Sequence, residues 1–325
     1  MELPPLLRRN VDRALNGVGL ADLAVAAAAL SQRYRDEHRD HNLHVRTERD
    51  ALAYLAVRLP ATYAAVRASF AAVVAARLDF APKTVLDVGA GPGTALWAAA
   101  DCWPGLADAL LLEASPIFRA CGEELAREAD LPRVSWQLAD VAAATIDCAP
   151  RDLVSLAYVL NELAPAARES VLQRLWDATA DTLVIVEPGT PAGWERILAA
   201  RRQLIEAGAH VLAPCPHAFA CPLQAPDWCH FAERVARSRL HRLAKGADVP
   251  WEDEKFSYVA VSRRPAAAAV ARVIARPRKG SGRITLKLCQ PDGSAGEDLF
   301  SRRNGTVFKR AWRSDWGSAI DLEAG

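Results

Sequence analysis

A strand that runs into three alternating glycines and then an apolar helix constrains this chain more than any other feature. The stretch is Thr84-Val-Leu-Asp-Val-Gly-Ala-Gly-Pro-Gly-Thr94, followed by Ala95-Leu96-Trp97-Ala98. Val85, Leu86 and Val88 predict a short buried strand, Gly89, Gly91 and Gly93 a tight turn, and the helix opens directly behind. Such a turn lets backbone approach a ligand, and the helix N-terminus adds free N–H groups and a partial positive charge. Open α/β sheets hold nucleotide-like cofactors here, at the carboxyl end of the first strand. The dinucleotide fingerprint G-x-G-x-x-G does not fit, because Thr94 stands at its third glycine.

Glu113 closes the next apolar strand, Ala109-Leu-Leu-Leu-Glu113, and lies twenty residues after Gly93. A carboxylate at that strand end can accept both hydroxyls of a ribose. The pattern Asp87-x-Gly89-x-Gly91-x-Gly93 resembles the first motif of class I S-adenosylmethionine-dependent methyltransferases. That resemblance implies a cofactor site on Asp87, Gly89, Gly91, Gly93 and Glu113. It adds Asp140, after the third strand, where methyltransferases of this class often contact the adenine.

From residue 81 to 264 strands and helices alternate, which predicts an α/β domain with a parallel sheet and helices on both faces. The further strands are Val134–Leu138, Leu153–Val159, Thr182–Glu187 and Lys255–Ser262, the last finishing the sheet. Intervening helices are expected over Pro116–Ala129, Ala166–Thr179 and Ala192–Ala207. The fourth strand runs into Leu160-Asn-Glu-Leu-Ala-Pro165 and the fifth into Glu187-Pro-Gly-Thr-Pro191. Both loops fall at the ligand-binding edge, so Asn161 and Glu162 are the polar groups nearest the expected methyl group. Glu162 is the candidate general base, and capping of the following helix is the competing role for both residues. The Asn/Asp-Pro-Pro-aromatic stretch of amino-methylating enzymes is not present at Asn161.

Residues 1–80 form a helical region. Thr47-Glu-Arg-Asp50 predicts a capping box and Pro60 ends that helix. Between helices, His38, His41 and His44 have spacing that could ligate a metal but read as an exposed polar linker. The longest apolar run, Leu20 to Leu30, is broken by Asp22 and is too short to span a membrane. Asp12 and Asp22 sit where a signal sequence wants no acid, so the expectation is a cytoplasmic protein without membrane association.

With no secretion signal, seven cysteines point to metal or inert thiols, not disulfides. Cys102, Cys121 and Cys148 read as small apolar residues. The loop 208–231 holds Cys215, Cys221 and Cys229 among prolines, which forbids regular structure and calls for an anchor. These three lack one ligand for a four-thiolate site, and Cys289 is the only later cysteine. Spacing leaves two occupants open: zinc on four thiolates or on three plus His217 or His230, or an iron–sulfur cluster, which the Cys-Pro pairs and wide loops favour.

From residue 265 to 325 the pattern changes to three short alternating strands, Arg272–Arg276, Gly282–Cys289 and Thr306–Trp312, separated by Gly turns. Eleven Lys/Arg against six Asp/Glu give this segment a charge of about +5, whereas the whole chain carries +1. A basic β unit of this kind suits a phosphate backbone, through Arg276, Arg278, Lys279, Arg283, Lys309, Arg310 and Arg313.

The motifs D-V-G-A-G-P-G-T, L-N-E-L, V-E-P-G-T, C-P-H-x3-C-P, D-W-C-H-F and P-R-K-x2-G-R-I-T-L-K-L-C together resemble the methyltransferase-like proteins of the small ribosomal subunit. The resemblance covers residues 80 to 317 and has its most specific part in the cysteine block. It implies a Rossmann-like domain for S-adenosylmethionine, a 4Fe–4S cluster on Cys215, Cys221, Cys229 and Cys289, and small-subunit RNA as partner. A bacterial cytoplasmic relative is the form expected, since no clear transit peptide is present. The competing classes are a non-catalytic RNA-binding assembly factor and a small-molecule methyltransferase with a structural zinc.

Overall fold

The computed structural model describes residues 1–35, 45–127, 129–143, 146–265 and 270–322. His38, His41 and His44 lie outside the described residues.

Among the described residues, four helices precede the first strand: α1 (Pro5–Ala14), α2 (Leu20–Arg35), α3 (Glu48–Val57) and α4 (Leu59–Ala76). Thr47 caps α3 through the expected box, its Oγ1 accepting from the Asp50 N–H while Asp50 accepts from the Thr47 N–H. Pro60 sits in the first turn of α4, where its missing N–H costs nothing, so it marks the junction from the far side. By length and composition alone α4 could cross a membrane. Here it buries Val66, Phe70 and Val73 against the sheet face.

The main sheet is built from β1 (Thr84–Val88), β2 (Asp108–Glu113), β3 (Arg133–Leu138), β4 (Arg151–Ala157), β5 (Thr179–Pro188), β6 (His210–Ala213), β7 (Phe231–Ala236) and β8 (Trp251–Ser262). Its order is β3-β2-β1-β4-β5-β8-β6, with β7 also paired to β8. The strands β1 to β5 are parallel, and β8 runs antiparallel to β5, β6 and β7. The sheet is therefore mixed, and β8 is an interior strand instead of its last one. This order is the class I methyltransferase topology.

Alternating strand residues feed two cores. Ala109 and Leu111 face the side covered by α4, α5 (Thr94–Cys102) and α6 (Pro116–Ala126). Leu86, Leu112 and Val154 face α7 (Pro165–Asp177) and α8 (Pro191–Glu206). Helices α1 to α4 share the first core with the sheet, and Asn10 donates from α1 to the Leu125 carbonyl at 2.8 Å.

Beyond α9 (Arg239–Lys245) and β8, the chain forms a second sheet from β9 (Ala271–Val273), β10 (Arg278–Gly280), β11 (Arg283–Cys289), β12 (Ala295–Ser301) and β13 (Ala319–Ile320). The expected strand over Thr306–Trp312 is instead the helix α10 (Gly305–Arg313). Val307, Phe308 and Ala311 recur at helical spacing and pack on Ile284, Leu286 and Leu288 of β11. A period-2 reading of a seven-residue stretch cannot exclude that alternative. The strand β12, Ala-Gly-Glu-Asp-Leu-Phe-Ser, was not expected, because among its residues only Phe300 is buried.

Candidate cofactor mouth and cysteine cavity

Asp87 and Glu113 end adjacent strands beneath the glycine turn. The N–H groups of Gly89 and Ala90 donate to the Leu112 carbonyl, which pins the turn to the end of β2. Gly89, Gly91 and Gly93 all have left-handed φ values, between +55° and +80°. At Gly89 a Cβ would stand 2.4 Å from Val159 Cγ2, so the loop after β4 closes directly on the turn and admits no side chain.

Glu113 is 7% exposed. Its Oε2 accepts from the Gly91 N–H and its Oε1 from the Ser115 N–H, both at 2.7 Å. Burial pushes its carboxyl above the usual range, and these backbone donors oppose the shift. The Ala114 N–H also approaches the carboxylate, which has four lone-pair sites in all and so keeps acceptor capacity. Asp87, opposite Ser155 in the β1–β4 register, accepts from Ser155 Oγ at 2.7 Å. Its second oxygen has no hydrogen-bond partner, and burial, opposed by Ser155 and assisted by Glu113, pushes its carboxyl up to about 7. Asp140 is exposed after β3 and its Oδ1 accepts from the Ala142 N–H at 2.9 Å, a local turn contact.

The two residues expected nearest the methyl group diverge. Asn161 is 3% exposed and its backbone donates to the carboxylate of Glu187. Glu162 keeps an exposed surface, while crowding by protein and the charges of Glu113 and Glu187 push its carboxyl up. Water at that surface moderates the push. Glu187 itself was missed as a site residue: it is fully buried at the end of β5 and pairs with Arg196 Nε at 2.6 Å. The available signal was a strand-end carboxylate of the same kind as Glu113. Tyr158, the residue that follows β4, has φ +60° and donates to Glu254 at 2.9 Å. A left-handed aromatic residue is a strained feature at this edge. Tyr54 of α3 donates to Thr62 at 3.3 Å and approaches Thr94, so the N-terminal helices lie against the start of α5.

On the far side of α8 the four late cysteines converge. Cys215, Cys221, Cys229 and Cys289 line one cavity with Arg201, His217, Phe231 and Tyr258. Burial pushes the Cys289 thiol up to about 12 and raises those of Cys215 and Cys229. His217 Nε2 lies 3.4 Å from Cys289 Sγ. Among the described residues, no three His, Cys, Asp or Glu side chains stand at the spacing of a single metal ion. A tetrahedral zinc with Zn–S of about 2.3 Å needs its sulfurs about 3.8 Å apart. His230 is stacked on Trp228 and edge-on to Trp316, outside the cavity.

Contacts between Arg272 Nε and the Pro214 carbonyl, Lys287 and Asp227, and Arg276 and Asp253 tie the second sheet to the first unit. Of the basic residues expected on one surface, Arg276, Arg278, Lys279, Arg283, Lys309 and Arg313 are exposed, while Arg310 is half-buried and donates to the Asp321 carbonyl. Lys309, Arg310 and Arg313 sit on a helix, not a strand. Lys279 of β10 lies 5.5 Å from the Trp312 ring centroid, which joins the two groups. Arg278 is paired with Glu297.

Strand order, glycine turn and the carboxylates beneath it define a class I methyltransferase-like fold. The chain belongs to the family described as mitochondrial small ribosomal subunit Rsm22, which it matches over residues 48–321. It is 30% identical over 301 residues to the human ribosome assembly protein METTL17, mitochondrial, covering 85% of this chain and 63% of that protein. The Rsm22-cox11 tandem protein 2, mitochondrial, of Schizosaccharomyces pombe is 21% identical over 337 residues, covering 88% of this chain and 45% of that protein. The chain thus spans less than two thirds of the length of these relatives. Among solved structures, a Synechocystis magnesium protoporphyrin IX methyltransferase aligns with TM-score 0.42 and 13% identity, over 77% of this chain and 99% of that one.

These matches correct the cytoplasmic expectation, since the family and the matched relatives carry mitochondrial descriptions. That expectation rested on the first thirty residues. Leu7, Val11, Leu23 and Leu30 are buried in the core, so the stretch is folded structure and carries no information on compartment.

Proposed function

We propose that this chain is an S-adenosylmethionine-binding, methyltransferase-like factor of the small ribosomal subunit that carries a 4Fe–4S cluster. Asp87, Gly89, Gly91, Gly93 and Glu113 would hold the cofactor, with Asp140 at the adenine side. Free lone pairs on Glu113 and the N-terminus of α5 support this part. Cys215, Cys221, Cys229 and Cys289 would hold the cluster. The observation that carries the reading is that cysteines from a proline-rich loop and from a strand sixty residues further on line one cavity where the two sheets meet.

The donor set fits such a group. Four cysteines line one cavity whose walls are largely apolar. Thiolate ligation would release the thiol protons that burial now retains. The cluster would supply a cross-link between the two units.

The basic face of β10, β11 and α10 would meet small-subunit RNA through phosphates, with Arg276, Arg278, Lys279, Arg283, Lys309 and Arg313 outermost. Asn161 and Glu162 are the candidate catalytic pair, with Glu162 as base. The burial of Asn161 and its backbone contact to Glu187 favour a second reading, in which the fold binds cofactor and RNA without transfer.

Two measurements test the proposal together. Calorimetry with S-adenosylmethionine and co-sedimentation with small subunits should both report binding, and absence of both would sink it. Mapping methylated nucleotides in small-subunit RNA with and without the protein separates enzyme from binding factor.

A further inference from the structure

The cysteine cavity contains a cation that its own protein neighbours do not explain. Arg201, on α8, is 5% exposed and lies on the cavity wall, where its side chain is in hydrogen-bonding contact with Cys215. One terminal nitrogen donates to the His217 carbonyl at 2.6 Å, whereas Nε, also buried, has no acceptor. No ion pair joins Arg201 to a carboxylate among the described residues. A second guanidinium, Arg272, faces the same thiols but is spent on the carbonyls of Pro214 and Gly317. Arginine does not deprotonate in proteins, so a buried guanidinium with a spare donor calls for an anion. The thiols of Cys215, Cys229 and Cys289, which burial keeps protonated, do not provide one.

We propose that Arg201 is the charge-compensating donor to the group in this cavity, positioned by its bond to the His217 carbonyl. The inference rests on the reading that the four cysteines hold an iron–sulfur cluster. With four thiolates such a group is doubly negative when oxidised and gains one more negative charge on one-electron reduction. A fixed positive charge and an N–H directed at it stabilise both states, and the reduced one more. Arg201 therefore raises the reduction potential and slows loss of the cluster. Arg272 contributes charge as well, but its donors fasten the loop to the second sheet.

The test uses the full chain purified anaerobically, as wild type, Arg201→Met, Arg201→Gln and Arg201→Lys. Iron and sulfide are counted, and the midpoint is read by dithionite titration followed by electron paramagnetic resonance of the reduced state. Arg201→Met and Arg201→Gln should show a more negative midpoint and faster bleaching by a chelator, and Arg201→Lys should return toward wild type. Loading of Arg201→Lys alone would support the same role at the stage of assembly. An unchanged midpoint and bleaching rate in Arg201→Met or Arg201→Gln would overturn it. So would failure of all three variants to load, since charge would then not be what Arg201 supplies. Wild type without iron and sulfide would instead remove the cluster reading itself.

Discussion

The glycine turn and the cysteine cavity answer burial in opposite ways. At the turn, protein donors answer most of the carboxylate oxygens: Glu113 accepts from Gly91 and Ser115, and Asp87 accepts from Ser155 through one oxygen while its other oxygen has no partner. At the cavity, four cysteines line one space beside a guanidinium whose buried Nε has no acceptor. The first region is held largely by its own backbone donors. On the proposed reading, the second is completed by its occupant. Loss of ligand should therefore cost affinity at one site and structure at the other.

The largest expected effect tests that asymmetry at the cavity. Cys289→Ser should abolish the cluster, so that wild type carries about four iron and four sulfide per chain and the variant almost none. The segment after β8 should then become sensitive to limited proteolysis, whereas Cys121→Ser, packed against the first core, should leave both unchanged. Equal protease resistance in Cys289→Ser would mean that contacts such as Arg272 with Pro214 and His230 with Trp316 hold the unit alone.

Next in size is an effect of pH at the turn. The Asp87 carboxyl titrates near 7 in the folded state, above an unfolded value of about 3.9, because burial favours its neutral form. A raised folded value means that the native state holds the proton longer. The stabilisation is complete below pH 4 and is lost as pH rises through 7. Three units correspond to a ceiling of about 4 kcal/mol, reduced by any relaxation around the charge. Asp87→Asn keeps an acceptor for Ser155 and removes the ionisation. Urea midpoints at pH 5 and pH 8 should therefore differ in wild type by more than in the variant. Identical pH dependence would show that Asp87 is ionised at little cost.

How legible these regions were follows from the range of the signals. The strand, turn and helix from Thr84 to Ala98 are a local pattern, and Glu113 repeats a strand-end position, so both could be read without knowing the tertiary fold. The four cysteines were identifiable by residue type, but their meeting depends on β11 folding back on β9, and spacing says nothing about that. Glu187 hid within a strand reading, and Arg201 looked like one more charge on an amphipathic helix. Its burial is set by the loop that covers α8. The helix α10 was misread because Thr306-Val-Phe-Lys-Arg-Ala-Trp312 satisfies both periods, and packing on Leu286 and Leu288 decides between them.

A smaller effect is expected for Glu113→Ala. Loss of charge-assisted bonds to a ribose should weaken S-adenosylmethionine binding by roughly 1–3 kcal/mol, or about fivefold to 150-fold. The variant also frees the Gly91 and Ser115 N–H groups, so Glu113→Gln, which retains one acceptor oxygen, separates turn geometry from charge. Calorimetry giving wild-type affinity in Glu113→Ala would withdraw the ribose role and leave Glu113 as a clamp on the turn.

The smallest effect belongs to the basic face, because part of its charge is already answered. Arg278 is paired with Glu297, Arg276 approaches Asp253 at 3.6 Å, and Lys279 rests over Trp312. Exposed pairs of this kind exchange readily for phosphate, since each contributes little in water. Replacing Arg276, Arg278 and Lys279 by alanine should flatten the log–log salt dependence of RNA binding by at most about two units, at about 0.7 per phosphate contact on single strands. Different RNAs should weaken about equally, because phosphate contacts carry no sequence information. A filter-binding salt titration of wild type and the triple variant reads both quantities. Equal slopes would make this face a solvated surface with internal pairs, and the contact with the subunit would then have to come from elsewhere on the chain.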